Sequence, residues 1–134
     1  MKFKKVLIGG AVVLTLCSSA LGCMAAEKFD FKVEPPAQQL KTNVKKKDSE
    51  QWFYVTTTSH NLKSKDAFWY GPRCNGSVMS TGLRITKSSN PRQKKKYSKY
   101  AKPKAEYQLR GNARLSDIKS GPVYTIITSG RWTP

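Results

Sequence analysis

Acidic residues, cysteine and histidine are scarce in this sequence. The 134 residues include 25 Lys+Arg but only 8 Asp+Glu, which gives a formal net charge of +17 and a pI of about 10.0. With 3 Cys and 9 Gly, the chain is neither a disulfide scaffold nor a collagen-like repeat. Its length excludes a multidomain protein, because compact domains usually take roughly 100–200 residues each. We therefore expect one small basic domain that attracts anionic partners.

The first 25 residues have the layout of a secretory signal peptide. Three lysines among the first five residues precede an apolar stretch at 6–16, and small residues follow at 23–26. The apolar stretch is shorter than the roughly 20 residues of a membrane span. We predict cleavage after Ala25 or one residue later and a secreted or cell-surface protein. The ALGC sequence ending at Cys23 resembles a bacterial lipobox with two residues exchanged, so lipid anchoring at Cys23 is the alternative.

Cleavage after Ala25 would leave 22 basic and 8 acidic residues, a net charge of +14, and one cysteine, Cys74. A single thiol cannot form an internal disulfide, so the domain must be held together by core packing. Cys74 lies in a turn-rich stretch at 70–76. We interpret it as a partly buried apolar side chain, with an intermolecular disulfide or redox chemistry as the alternative.

Apolar and polar residues alternate with a period near two, which is typical of half-buried strands. This pattern and runs of aromatic or β-branched residues predict strands at 29–33, 52–58, 67–70, 77–86, 105–115 and 123–128. Pro35-Pro36 ends the first strand, and Gly111-Asn112 offers a turn or kink in the fifth. We predict an all-β fold, a small antiparallel β-sandwich or barrel-like domain. The predicted organisation is an N-terminal strand and basic linker at 26–49, then a sandwich core at 50–134.

Two aromatic trios, at 52–54 and 68–70, cannot point entirely inward, because successive side chains of a strand face opposite sides of the sheet. At least one ring of each trio is therefore predicted to face solvent or a partner.

The positive charge is concentrated in one region. The 39 residues between Asp66 and Glu106 contain no acid and ten Lys or Arg, seven of them at 92–104. Pro91 and Pro103 frame this basic segment and argue against a helix, so we predict a β-hairpin arm or loop at 91–104 that stays solvated unless an anion neutralises it. The alternative is a loop that only aids solubility.

We predict that the basic segment binds polyanions. Most of its charges are lysines, which suit phosphate without fixed geometry, and its tyrosines could stack on bases or lie at a membrane interface. Export favours anionic envelope components, namely teichoic acid, anionic lipid or polysaccharide, over nucleic acid. The predicted binding residues are Arg92, Lys94, Lys95, Lys96, Tyr97, Lys99, Tyr100, Lys102 and Lys104.

Catalytic and metal-binding patterns are sparse. His60 is the only histidine, and nothing in the spacing of Ser59, His60 and Asp66 distinguishes a triad from chance. One His and one Cys do not make a metal ligand set. We predict a protein that is not an enzyme and has no cofactor, with an enzyme using Cys74 or His60 as the alternative.

Three short features carry a resemblance to known proteins. An opening F-x-F-x-V at 29–33, a Trp-rich strand near Trp52 and a closing SGRWTP at 129–134 follow the predicted signal peptide. Together they resemble small secreted all-β proteins of Gram-positive bacteria, some of them similar to bacteriocins. The resemblance implies an all-β fold and export, and it makes a bacteriocin-like toxin that acts on competitor cells the alternative function.

Overall fold

The computed structural model describes residues 26–134, so the predicted signal peptide at 1–25 lies outside the described residues. Every paired strand in this part of the chain is antiparallel, and the strands form two sheets. The predicted all-β fold is confirmed. Within 26–134 no helix has the length and apolar character needed to cross a membrane.

The described residues contain ten strands and one 3₁₀ turn at Leu115–Asp117. The strands are β1 Glu27–Val33, β2 Ala37–Leu40, β3 Val44–Lys45, β4 Trp52–His60, β5 Ala67–Cys74, β6 Ser77–Val78, β7 Leu83–Thr86, β8 Arg92–Lys96, β9 Glu106–Ala113 and β10 Ile126–Thr133.

Sheet I has the strand order β1-β10-β4-β8, and sheet II is built around β9 and β5. In sheet II, β2 and β3 pair with one edge of β9, and β6 and β7 pair with the outer edge of β5. The predicted N-terminal region therefore contributes to both sheets, β1 to sheet I and β2 and β3 to sheet II. Pro35-Pro36 lies where the chain passes from sheet I to sheet II. Because proline has no backbone N–H, these two residues cannot continue the hydrogen bonds of the strand.

Burial alternates along the long strands as the sequence predicts. Phe29, Phe31 and Val33 of β1 are buried while the residues between them are exposed. Of the second aromatic trio, Phe68 and Tyr70 are buried and Trp69 is half-buried on the outer side. The same alternation that places the apolar side chains between the sheets leaves the intervening lysines and arginines in water.

Aromatic rings from both sheets meet at Gly111 of β9. The ring centroids of Phe31 and Phe68 are 5.8 Å apart, and those of Phe68 and Tyr70 are 5.5 Å apart. A Cβ atom added at Gly111 would lie 2.6 Å from Cδ1 of Phe31 and 2.7 Å from Cζ of Phe68. The predicted turn or kink at this glycine is wrong: β9 continues through it, and the missing side chain makes room for the two rings.

The predicted strands at 77–86 and 123–128 differ from the observed ones. The stretch 77–86 is divided into β6 and β7 by a bend in which Gly82 has φ +101°, so it is not one strand. At the C-terminal end the strand begins at Ile126 rather than Val123 and continues through Trp132, with a register shift between Ser129 and Gly130. The backbone pairs with β1 and β4 along this length, which local sequence preference did not indicate.

A buried carboxylate attaches the loop before β10 to the start of β5. Asp66 is fully buried and accepts hydrogen bonds from the Lys119 and Ser120 backbone N–H groups at 2.6 and 3.0 Å and from the Tyr124 hydroxyl at 2.6 Å, as well as from the Ser120 hydroxyl. Burial works to raise the pKa of Asp66, but these hydrogen bonds favour the ionised form and leave the pKa below its usual value.

Gly111→Ala is expected to lower the free energy of unfolding by about 1–3 kcal/mol, because the new methyl group must displace two packed rings. Gly71→Ala is the matched control in the neighbouring strand, since its Cβ would have its closest contacts at 3.8 Å. Urea denaturation of both variants measures the difference. Equal stability of the two variants would contradict the packing role of Gly111.

Asp66→Asn is expected to lower the free energy of unfolding by about 2–3 kcal/mol at neutral pH, because hydrogen bonds to a charged acceptor are lost. Since the folded-state pKa is lowered, this stabilisation is complete above the unfolded-state pKa of about 4 and is lost as pH falls through the folded-state pKa. The difference in the free energy of unfolding between wild type and Asp66→Asn should therefore become smaller at acidic pH. Denaturation at about pH 7 and about pH 3 tests this, with the exposed Asp30→Asn as control; a constant gap would refute it.

Candidate functional site

The basic segment begins with an edge strand. Arg92–Lys96 form β8, paired with β4 so that Lys94 lies opposite Tyr54 and Lys96 opposite Trp52. The predicted hairpin arm or loop is therefore wrong for these five residues. The backbone of β8 pairs with β4 on one side, so β8 is an edge strand of sheet I. Charged side chains on an edge strand discourage pairing with a further strand.

Strand alternation divides the predicted binding residues between two sides. Arg92, Lys94 and Lys96 point outward and are exposed, whereas Lys95 is half-buried and its Nζ donates to the Gly82 carbonyl at 2.9 Å. Because Gly82 immediately precedes β7 of sheet II, Lys95 connects the free edge of sheet I to the other sheet. Its ammonium group is engaged in this contact rather than presented to a partner.

Tyr97 belongs to the core. It is 6% exposed, and its ring centroid lies 5.5 Å from that of Phe53 and 5.8 Å from that of Tyr107. Burial, with the nearby Tyr107 as a smaller cause, raises the pKa of its hydroxyl. The predicted stacking role of Tyr97 is therefore corrected, because the ring faces other aromatics and not solvent.

The remaining predicted residues lie on the connection from β8 to β9. Lys99, Lys102 and Lys104 are exposed, and Tyr100 is 67% exposed. Backbone hydrogen bonds from Ser98 to Met79 and from Lys104 to Lys46 hold this connection across one end of the two sheets. We call Lys99, Tyr100, Lys102 and Lys104 the end group.

One lysine of the 45–47 run is structural. Lys46 is fully buried, with its Nζ 2.8 Å from Oδ1 of Asp48, 3.2 Å from the Pro134 carbonyl oxygen and 5.3 Å from the Tyr97 ring centroid. The linker predicted at 26–49 therefore contains a buried ionic contact that fastens it to the C-terminal strand and to the aromatic core.

The outward side of sheet I carries six exposed cations. Lys28 of β1 pairs with Arg131 of β10, Arg131 with Thr56 of β4, and Thr56 with Arg92 of β8, so one row of residues crosses all four strands. The lysine face is defined as Lys28, Lys32, Arg92, Lys94, Lys96 and Arg131. Adjacent strands are about 4.8 Å apart, so three intervals bring the whole row within about 15 Å.

Half of the lysine face is absent from the predicted site. Lys28, Lys32 and Arg131 each alternate with buried side chains in their own strands, a signal that places them outward. Their position on the same side as Arg92 depends on the strand order of sheet I, which the sequence pattern does not determine.

Two aromatic side chains lie among these cations. Trp52 and Tyr54 are half-buried on the outward side of β4, and the Lys94 ammonium lies 4.8 Å from the Trp52 ring centroid. Partial burial, together with the Glu50 carboxylate to which the hydroxyl donates at 3.3 Å, raises the pKa of Tyr54 to about 12. Tyr54 therefore stays neutral at physiological pH and presents a hydroxyl-bearing ring beside the lysines.

A cavity of about 490 Å³ lies at the β1–β10 side of the lysine face. Lys28, Arg131, Lys41 and the hydroxyls of Thr58 and Ser129 are among its lining groups. The one carboxylate in the lining, Asp30, is bonded to Lys41 at 3.1 Å. Cations and hydroxyl donors predominate, so the cavity chemistry suits an anionic group.

The residues considered for catalysis do not come together. All four side-chain hydrogen bonds of Asp66 go to the 119–124 loop, while His60 Nδ1 accepts from the Leu62 backbone N–H at 3.1 Å. Cys74 is a free, half-buried thiol at the end of β5, packed against the core. In the described part of the chain no three His, Cys, Asp or Glu side chains are grouped to hold a metal ion.

Lys46→Met is expected to lower the free energy of unfolding by about 2 kcal/mol. This is less than the loss expected when one partner of a fully buried ion pair is removed, because Asp48 is partly exposed and water can solvate it. The neighbouring exposed Lys47→Met removes the same charge and should change stability by less than about 0.5 kcal/mol. Thermal denaturation of both variants measures the two changes in stability. Equal effects would mean that Lys46 has no structural role.

Comparisons with protein-family models, curated proteins and solved structures return no match for this chain. The resemblance to small secreted all-β proteins of Gram-positive bacteria therefore stays a prediction. The described residues form two antiparallel sheets, and the cationic outer surface of sheet I carries two half-buried aromatic rings, Trp52 and Tyr54.

Proposed function

We propose that this protein is an exported, non-enzymatic binder of anionic cell-envelope components, and that the lysine face is its contact surface. The observation that supports this most directly is the row from Lys28 through Arg131 to Arg92, which places cations on three of the four strands of one sheet. Teichoic acid, anionic lipid and anionic polysaccharide are the partner classes. Nucleic acid carries the same charge but is less favoured, because the predicted export places the protein outside the cell.

The spacing of the charges favours an extended or planar anion over a small one. In the row, Lys28 and Arg131 are one strand interval of about 4.8 Å apart, and Arg131 and Arg92 are two intervals, or about 10 Å, apart. These spacings are comparable to the Debye length of about 8 Å at physiological ionic strength, so the fields of the charges add in part at the surface. Four of the six cations of the lysine face are lysines, which attract phosphate as point charges without requiring one orientation. The lysine face is thus suited to repeated negative charges on a polymer or a membrane.

Trp52 and Tyr54 add an apolar contribution at the middle of the lysine face. Rings with a polar edge are favoured at membrane headgroup level, and they also stack on sugar rings. The end group continues the positive charge past Lys96 and exposes Tyr100. We propose that the end group supports binding, while the lysine face provides most of the attraction.

Replacing Lys94, Lys96 and Arg131 by Gln should weaken binding to vesicles of phosphatidylglycerol and phosphatidylcholine by roughly a hundredfold. Each engaged cation contributes about 1 kcal/mol near an anionic membrane, and about 1.4 kcal/mol corresponds to a tenfold change in affinity. Vesicle sedimentation over a salt series measures this, and wild-type binding should weaken steeply as salt rises.

The matched control changes Lys63, Lys87 and Lys119 to Gln, which removes the same charge from exposed positions outside the lysine face. This variant should lose less than about tenfold, and the triple Gln variant of Lys99, Lys102 and Lys104 should fall between the two. Equal losses in all three variants would show that net charge alone drives binding and would refute the lysine face as the contact.

The bacteriocin-like alternative predicts a further consequence at the same surface. A toxin that acts on bilayers should release a dye trapped in the same vesicles, with Trp52 and Tyr54 inserted at the interface. A passive binder should sediment with the vesicles without releasing the dye. Dye release that Trp52→Ala abolishes would favour the toxin over the envelope binder.

A further inference from the structure

The outward side of sheet II has a second cationic surface, made of arginine. Four of the six arginines of the chain lie there or directly after its strands. The arginine face is defined as Arg73 of β5, Arg84 of β7, Arg110 of β9 and Arg114 immediately after β9. None of these residues belongs to the lysine face, which lies on the other sheet.

Two of these arginines lie beside a place in the sheet that has no side chain, and a third, Arg114, lies over the Trp69 ring next to Gly82. Gly71 lies opposite Arg110 in the β5–β9 pairing, and a Cβ built on Gly71 would be 3.8 Å from Nη2 of Arg110 and 3.8 Å from Cα of Gly82. Arg73 follows two residues later on the same side of β5. The two glycines thus form a shallow floor, with guanidinium groups beside it.

The guanidinium groups are close enough to repel one another. Burial lowers the pKa of Arg110, and the charges of Arg73 and Arg114 lower it further. Both charged groups that act on the pKa of Arg110 are cations, and the carboxylate of Asp117 accepts from Nε1 of Trp69 at 2.8 Å. The Arg114 guanidinium lies over that same Trp69 ring, 4.4 Å from its centroid.

Much of the hydrogen-bonding capacity of this group is unused within the described residues. Arg73 donates to the Gly76 carbonyl at 3.3 Å and Arg110 to the Gln38 side-chain oxygen at 3.1 Å. The Nε atoms of both arginines are shielded from solvent and have no hydrogen-bond partner in the described part of the chain. A guanidinium offers five donors in a rigid fork, so beyond the shielded Nε atoms the Nη hydrogens that do not bond to Gly76 or Gln38 are left for an oxyanion.

We infer that Arg73, Arg110 and Arg114, grouped beside the Gly71–Gly82 floor, bind a phosphate monoester dianion. A phosphate monoester has three acceptor oxygens and a charge near −2, so it can accept from three guanidinium groups and offset their mutual repulsion. A carboxylate or a sulfate ester has one negative charge and neutralises the cluster less completely. This site is independent of the lysine face, which distinguishes anions by charge density rather than by geometry.

Glucose 6-phosphate, glucose 6-sulfate and glucose serve as probes, because they present the same sugar with different groups. Calorimetric titration at constant ionic strength should give tighter binding of glucose 6-phosphate than of glucose 6-sulfate at about pH 7.5, and no binding of glucose. The phosphate affinity should fall about fourfold at about pH 5.5, where most of the monoester carries a single charge. Arginine does not titrate in this range. The charge of the sulfate probe is also constant, so any change in its affinity between the two pH values measures the contribution of Asp117.

The variant Arg73→Lys with Arg110→Lys keeps the charge but removes the guanidinium forks, and it should weaken glucose 6-phosphate binding at least tenfold. The matched control, Arg92→Lys with Arg131→Lys, makes the same change on the lysine face and should leave this affinity unchanged. Arg114→Lys, outside the strands, provides a second test if the double variant is unstable. Equal affinity for the phosphate and sulfate probes, or unchanged phosphate binding by Arg114→Lys and the double variant, would overturn the inference.

Discussion

The contact of the two sheets at Gly111 is the constraint on which the rest of the domain depends. No disulfide is available to the described chain, because Cys74 is its single cysteine, so side-chain packing must hold the sheets together. Phe31 of sheet I and Phe68 of sheet II meet where Gly111 has no side chain. With the interior filled by rings, each strand that contributes an inward aromatic must place the flanking residues outward. Beside Phe29, Phe31 and Trp132, one flanking residue is basic: Lys28, Lys32 and Arg131.

The two outer surfaces that result differ in chemistry as well as in position. The lysine face spreads its charges over three of the four strands of sheet I and contains Trp52 and Tyr54 on the fourth, which suits an extended or planar anion. The arginine face groups its charges beside a glycine floor, which suits a compact oxyanion with several acceptors. Acids are too few to neutralise either surface: Asp66 is used to fasten a loop, Asp48 to pair with Lys46, and Asp117 to hold Trp69. Asp30, the one acid between Lys28 and Lys32 on β1, pairs with Lys41.

The fold was largely predictable because its signals are local. Alternation at 29–33, the aromatic run of β4 and the outward direction of at least one ring in each trio follow from the period of a strand and need no partner. The site was only partly predictable because its composition depends on pairing between distant segments. Lys46, Lys95 and Tyr97 look like their exposed neighbours in sequence. Only their contacts with Pro134, Gly82 and Phe53, which the fold brings close, show that they are structural. Conversely, Lys28 and Arg131 join Arg92 through the strand order of sheet I.

The proposal that one sheet surface contacts the anionic partner is tested most directly by lysine acetylation with and without phosphatidylglycerol-containing vesicles. Mass spectrometry of the modified protein reports the acetylation rate of each lysine. Bound vesicles should slow acetylation of Lys28, Lys94 and Lys96 and leave the rates of the exposed Lys63 and Lys87 unchanged. Uniform protection of all five lysines, or protection confined to Lys63 and Lys87, would contradict the account.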